Sequence, residues 1–357
     1  MGFPKVKVSV SDGNLLRSIN APDAVPALLT KEYTGSIMTV WSASDAAIKG
    51  VTAAAFPKTA ALLEMFSKEL AGYKALYLAP ATAENLEKLA TGYNVNIAVW
   101  IENSFTAKSL QTLSNTVKGV CQKTQAAGFP LRILAGGQMS ADVLTETNVK
   151  SFDNPYLGVV AGEDSETGAS IAAAALARCC KYGAEVKIGS GKNGALICLT
   201  DVILGGKAYP EYTGAQLETM HDNGYIMPQH RSGAAGYYFG QDNMCSNGDF
   251  RILAHGRIID KAQVIIQQAY APFIEDTIRV SDYGTLDEGD VSYLENVLEC
   301  SILANMTSQI SGVQVVIDKQ QDIINTSTLE VSCRIQPLGY TTWINVTLGL
   351  ATALGNS

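Results

Sequence analysis

The chain has 357 residues, 47% of them hydrophobic and 17% charged, with a formal net charge of −8 at pH 7. That length supports a large buried core and two or three domains. An acidic balance, with pI near 5.0, argues against nucleic acid as a main partner, because phosphate binding needs clustered Lys and Arg.

No window approaches the ~18 uninterrupted apolar residues of a membrane span, and the N-terminus lacks a signal-peptide layout. Neither direct membrane insertion nor signal-peptide secretion is expected. Seven cysteines, at 121, 179, 180, 198, 245, 300 and 333, make an odd set without CxxC spacing. Free buried thiols in a reducing compartment are therefore expected, with no metal site and no disulfide framework.

In chain order, Val6, Val8 and Val10 alternate with Lys5, Lys7, Ser9 and Ser11 and predict a strand. Residues 21–26, with two prolines, read as a linker or extended approach. A strand is expected over 37–41, a helix over 59–70 and a strand over 75–78. Strand and helix then alternate: strand 94–101, helix 106–125, strand 131–134, a short helix capped by Ser140 and reaching Thr147, and strand 156–160. An Ala-rich helix opened by Ser165 or Thr167 runs to Lys181. This alternation predicts an α/β fold with a mostly parallel sheet and helices on both faces.

Residues 205–248 are rich in Gly, Tyr and Asn, with Tyr237, Tyr238 and Phe239 as a strand-like aromatic patch. A helix is expected over 258–270, and Thr285 to Glu288 has the spacing of a capping box opening a second helix. Strand 313–317 follows. Leu329, Val331, Cys333 and Ile335 then alternate with Glu330, Ser332, Arg334 and Gln336 in a further strand. Past Pro337, Leu338 and Gly339, residues Ile344, Val346, Leu348 and Leu350 alternate with Asn345, Thr347 and Gly349 in a last one. A chain with a pairing-competent strand near each end pairs those strands within its own subunit or adds them to neighbouring copies.

Gly189 to Gly194 matches G-x-G-x-x-G after a short apolar stretch. A dinucleotide site needs a helix opening at the third glycine and an acidic residue about twenty positions on. Here residues 195–204 read as readily as a strand, and as a P-loop the stretch has Val186 and Asn193 at the wrong places. An ordinary glycine turn is the better reading. His221, His230 and His255 lie in no metal-binding spacing. Glu163, Asp164 and Glu166 cluster past a strand, where they read as a cap for the helix beginning near Thr167. Nothing amounts to an active site, and no cofactor is expected.

From Gly248 onward the order of elements resembles the C-terminal domain of contractile tail sheath proteins. The residues that carry the likeness are Gly248-Asp249-Phe250-Arg251-Ile252, Gly256 to Ala262, Ile335-Gln336-Pro337-Leu338-Gly339 and Ile344 to Leu348. The Ala-rich helix, the glycine turn after it and Asn223-Gly224-Tyr225-Ile226 look like the compact sheath type.

The resemblance implies an N-terminal arm (1–20), an α/β domain (21–240), a C-terminal assembly domain (241–342) and a C-terminal arm (343–357). It implies a non-enzymatic virion-tail or injection-system protein, assembled in a bacterial host cytoplasm. Copies would form helical strands or stacked hexameric rings around an inner tube, with baseplate and terminator proteins as further partners. Strand addition would run through Val6, Val8, Val10, Trp343, Ile344, Val346, Leu348 and Leu350. The alternatives are an α/β enzyme holding a nucleotide at Gly189–Gly194, or a tube or baseplate protein.

Overall fold

The computed structural model describes residues 21–72, 74–281 and 284–346. The predicted N-terminal strand at Val6 to Val10 and the end of the last strand, with Leu348 and Leu350, lie outside them.

The chain enters through β1 (Pro26–Thr30), five residues that are all buried. The linker expected over 21–26 overlaps it only at Pro26, and no strand was expected over 27–30. Proline at the first position of a strand leaves the ladder intact, and here it opens one of the two central strands of the sheet. β2 (Met38–Val40), α1 (Ala43–Ile48), α2 (Pro57–Leu70), β3 (Leu76–Pro80), α3 (Ala83–Tyr93), β4 (Ile97–Phe105) and α4 (Ala107–Ala126) follow. Helix α3 was not foreseen; its buried face consists only of Leu86, Leu89 and Ala90. Next come β5 (Arg132–Met139), α5 (Ala141–Glu146), capped by Ser140 as expected, and β6 (Leu157–Val160).

These strands form one six-stranded sheet in the order β2-β3-β1-β4-β5-β6, parallel except for β2 at the edge. A single register row runs Leu78, Leu28, Val99, Leu134, Gly158 across it. The fold is mixed α/β with a mostly parallel sheet, as the alternating pattern predicts.

The Ala-rich helix α6 (Ala172–Lys181) packs on α2 and lies against β1, β4 and β5, beyond the short β7 (Glu163–Asp164). It begins later than expected. Gly168 takes φ +65 and breaks any helix started at Ser165 or Thr167. Asp164 caps the resulting turn instead, accepting from the Thr167 amide at 2.9 Å and hydroxyl at 2.7 Å. Small residues let α6 sit close to the sheet. A Cβ on Gly136 of β5 would lie 2.6 Å from the Ala172 Cβ.

The chain then forms β8 (Val202–Leu204), β9 (Lys207–Ala208), α7 (Gly214–Asp222) and the hairpin β10 (Pro228–Arg231) and β11 (Ala234–Phe239). Of the stretch 195–204, only its last three residues are strand. β7, β8 and β9 form a small sheet of their own.

α8 (Leu253–Tyr270) leads out of this body. Its first turn, at Leu253, belongs to the main core, whereas Ile258, Ala262, Ile265 and Ala269 belong to a second core. That second core is completed by α9 (Glu288–Met306), β12 (Ile310–Ile317) and β13 (Val331–Pro337), with the single turn α10 (Ile323–Thr326) between the two strands. The predicted capping box at Thr285 is displaced by two residues. Asp287 caps α9, accepting from the Gly289 and Asp290 amides, while Thr285 is engaged with Ser281.

Candidate assembly site

β12 and β13 form a two-stranded antiparallel sheet in which Val313 faces Ile335, Val315 faces Cys333 and Ile317 faces Val331. One face is apolar and packs on the second core through Val313, Val315, Val331, Cys333 and Ile335. The other carries Gln314, Val316, Ser332, Arg334 and Gln336, all exposed. The alternation read from Leu329 to Gln336 is thus realised within this chain. Both outer edges of the sheet lack a strand partner among the described residues. An isolated two-stranded ribbon is marginal in water, and its open edges are templates for further strands.

Beyond Pro337 the chain touches the body at Tyr340 and then runs out. Trp343, Ile344 and Val346 are 80%, 78% and 79% exposed, and residues 341–346 form no strand. The strand expected to begin at Ile344 has no ladder partner among the described residues as far as Val346. Three large apolar side chains along exposed backbone form a patch that no described residue covers.

The small unit is fastened to the body at α8. Arg132, buried in β5, donates from Nε and Nη2 to the two carboxylate oxygens of Asp260, both at 2.7 Å, and from Nη1 to the Pro155 carbonyl at 2.7 Å. Its guanidinium also lies over the rings of Tyr156 and Phe250. Gly256 makes room for it, because a Cβ there would stand 2.9 Å from the Arg132 Cζ. Arg257 donates to the Cys179 carbonyl at 2.7 Å, near the end of α6. Sequence reasoning missed this fastening, although a lone arginine inside the apolar strand 131–134 signals that a partner must exist.

The glycine loop is built as a turn. Residues 191–193 make a three-residue 3-10 helix, and no longer helix opens at Gly194. Its carbonyls are taken up internally: Arg178 donates to the Ile188 and Gly194 oxygens, and Arg231 to that of Gly189. Arg178 is itself held by Glu69 at 2.8 Å with both side chains buried.

The three histidines go to separate surroundings. His221 is beside Asp222, His230 stacks 4.1 Å from Tyr237, and His255 faces Tyr340. Glu163 is half-buried, and burial pushes its carboxyl up against the pull of Gln138 and Lys58. All seven thiols are free, and burial pushes those of Cys179 and Cys180 up to about 11 and about 12. Among the described residues no group of three or more His, Cys, Asp or Glu is placed to hold a metal ion.

Two crevices of 610 and 430 Å³ open at the carboxyl ends of the parallel strands, where sites in α/β sheets form. They meet at Ser104, Phe105 and Thr106, and Gly189–Gly194 lines neither.

A family model described as DUF2586, C-terminal domain, matches residues 249–355. No curated protein matches the sequence. Solved structures match along nearly the whole chain. The helical sheath of the anti-feeding prophage in its contracted state is 15% identical, with TM-score 0.67, over 98% of this chain and 99% of that one. The contracted sheath complex of an extracellular contractile injection system, PVC, is 15% identical, with TM-score 0.65, over 99% and 98%. A sheath tail protein from Desulfitobacterium hafniense is 10% identical, with TM-score 0.57, over 94% and 100%. From the six-stranded sheet to the terminal two-stranded unit, this chain has the fold of the contractile sheath proteins.

Proposed function

We propose that this chain is a structural, non-enzymatic subunit of a contractile sheath, polymerising around an inner tube by strand addition. The single observation that carries the reading is the β12–β13 sheet, both edges open among the described residues, followed along the chain by an exposed apolar segment at Trp343–Val346. Each copy offers strands and edges to receive them. In this reading the arms are 1–20 and 343–357, the body is 21–240 and the assembly unit is 241–342. Val6, Val8, Val10, Trp343, Ile344, Val346, Leu348 and Leu350 carry the contacts. Rings or helical strands shorten and widen to drive the tube through an envelope. A baseplate and a terminator close the ends, and the particle is assembled in the host cytoplasm.

Magnitudes favour cooperative assembly. Burying Ile344, Val346, Leu348 and Leu350 yields ~1.5–3 kcal/mol each. Ordering about ten residues costs ~1–2 kcal/mol apiece, and strand hydrogen bonds return ~0.5–1.5 each. One arm alone is near balance, whereas in a lattice later contacts form at high effective concentration. Electron microscopy of the purified protein tests the reading. Long hollow cylinders above a threshold concentration are expected. Discrete particles at every concentration, stabilised by a nucleotide, would point to an enzyme instead.

A further inference from the structure

Both ends of the described chain are tied to the body, and both ties meet one helix. At the start, Ala21 packs on the second core and the Pro22 carbonyl accepts from Asn96. The Asp23 carboxylate accepts from Lys261 Nζ and Gln309 Nε2, each at 2.9 Å, and its backbone carbonyl accepts from Arg257 at 3.4 Å. At the other end every residue from 336 to 346 is exposed except Leu338 and Tyr340. The Tyr340 hydroxyl donates to the Glu185 carbonyl at 2.6 Å. Its ring lies against His255, with centroids 5.4 Å apart, and under Lys187 Nζ at 5.5 Å. After leaving β13, the chain thus returns to the body for one residue.

His255, Arg257 and Lys261 lie within seven residues of α8, about 9 Å along its axis. The same stretch carries Asp260, which holds Arg132 of the central sheet. The tie at Tyr340 also sets how far the C-terminal segment can reach. From Pro337 to Val346 a free extended chain covers about 30 Å, but from Tyr340 only about 20 Å.

We propose that Asp23 and Tyr340 are positioning residues that hold the roots of both terminal segments against α8, so that this helix takes up a pull on either segment. The source of the pull rests on the sheath reading; the anchoring belongs to the isolated chain.

Backbone mobility in the purified full chain tests the anchoring. Backbone nitrogen-15 relaxation reads the exposed amides at 338–343 directly: Tyr340→Ala lowers their order parameters from about 0.85 to below about 0.6 and leaves those of β4 unchanged. Tyr340→Phe, which keeps the ring contacts and loses the hydroxyl bond, gives a smaller drop. Asp23→Ala acts likewise on residues 21–25. Cylinders of either alanine variant disperse at a lower guanidinium concentration than wild type.

Order parameters at 338–343 that are equal in wild type and both Tyr340 variants overturn the anchor. Cylinders that disperse at the wild-type concentration overturn the transfer of pull. Should the wild type form no cylinders, the sheath reading fails while the relaxation comparison still decides the anchor.

Discussion

Strand β4 and strand β13 obey the same pleated geometry and end in opposite situations. β4 is buried over Ile97 to Ile101, has a parallel neighbour on each side and carries α4 and α6 against it. Among the described residues β13 has one neighbour, one covered face and an open edge, and its residues alternate between half-buried and exposed. The central strands of the body have all their ladder partners in place, whereas both strands of the small sheet keep an edge that no described residue covers.

If the body is self-sufficient, the largest effects on stability belong to it. Removing the carboxylate in Asp260→Ala leaves the buried Arg132 charge unpaired, and a loss of ~3–5 kcal/mol in denaturant unfolding is expected. Leu28→Ala, at the centre of the sheet, is expected to cost ~2–5 kcal/mol. By contrast, Ile344→Ala should change the stability of the isolated chain by less than ~0.5 kcal/mol, because its side chain is exposed there. An Ile344→Ala loss as large as that of Leu28→Ala would erase the contrast between the two regions.

A smaller effect depends on pH at the N-terminal root. Burial pushes the Asp23 carboxyl up, but the hydrogen bonds from Lys261 and Gln309 and the Lys261 and Arg257 charges outweigh it and hold the group below its usual range. A lowered carboxyl contributes stability that is fully present above the unfolded value of ~3.9 and is lost as pH falls through the folded one. The melting-temperature advantage of wild type over Asp23→Asn should therefore be constant near neutrality and shrink below about pH 4. A gap that widens on acidification would contradict the assignment. The smallest effect is none at all. Lys192→Ala, in the exposed glycine turn, should leave stability and assembly unchanged, and neither ATP nor NAD should shift the melting temperature. A ligand at ~100 times its Kd would add ~2.7 kcal/mol, an effect too large to miss.

Much of the body was legible because its helices carry periodic apolar faces and good caps, as at Thr106 and Ser140. β1 was not, since Pro22 and Pro26 before and at its first position mimic a linker, and only the pairing with β3 and β4 shows it to be central. The start of α6 was misjudged because the pattern of caps and alanines carries no sign of the positive φ that Gly168 adopts, which ends any helix begun at Ser165 or Thr167. At the assembly site, alternation disclosed the strand at 331–337 but not its partner, because pairing with β12 is a long-range choice. The seam at α8 was hidden for the same reason: Arg132 and Asp260 are 128 residues apart.

In the sheath reading the terminal segment serves other copies and not its own. Deleting residues 343–357 and following both circular dichroism and electron microscopy puts this to the test. An unchanged melting temperature, a soluble monomer and no cylinders are expected at concentrations where the full chain forms them. A truncated chain that unfolds, or one that still polymerises like the full chain, would contradict it.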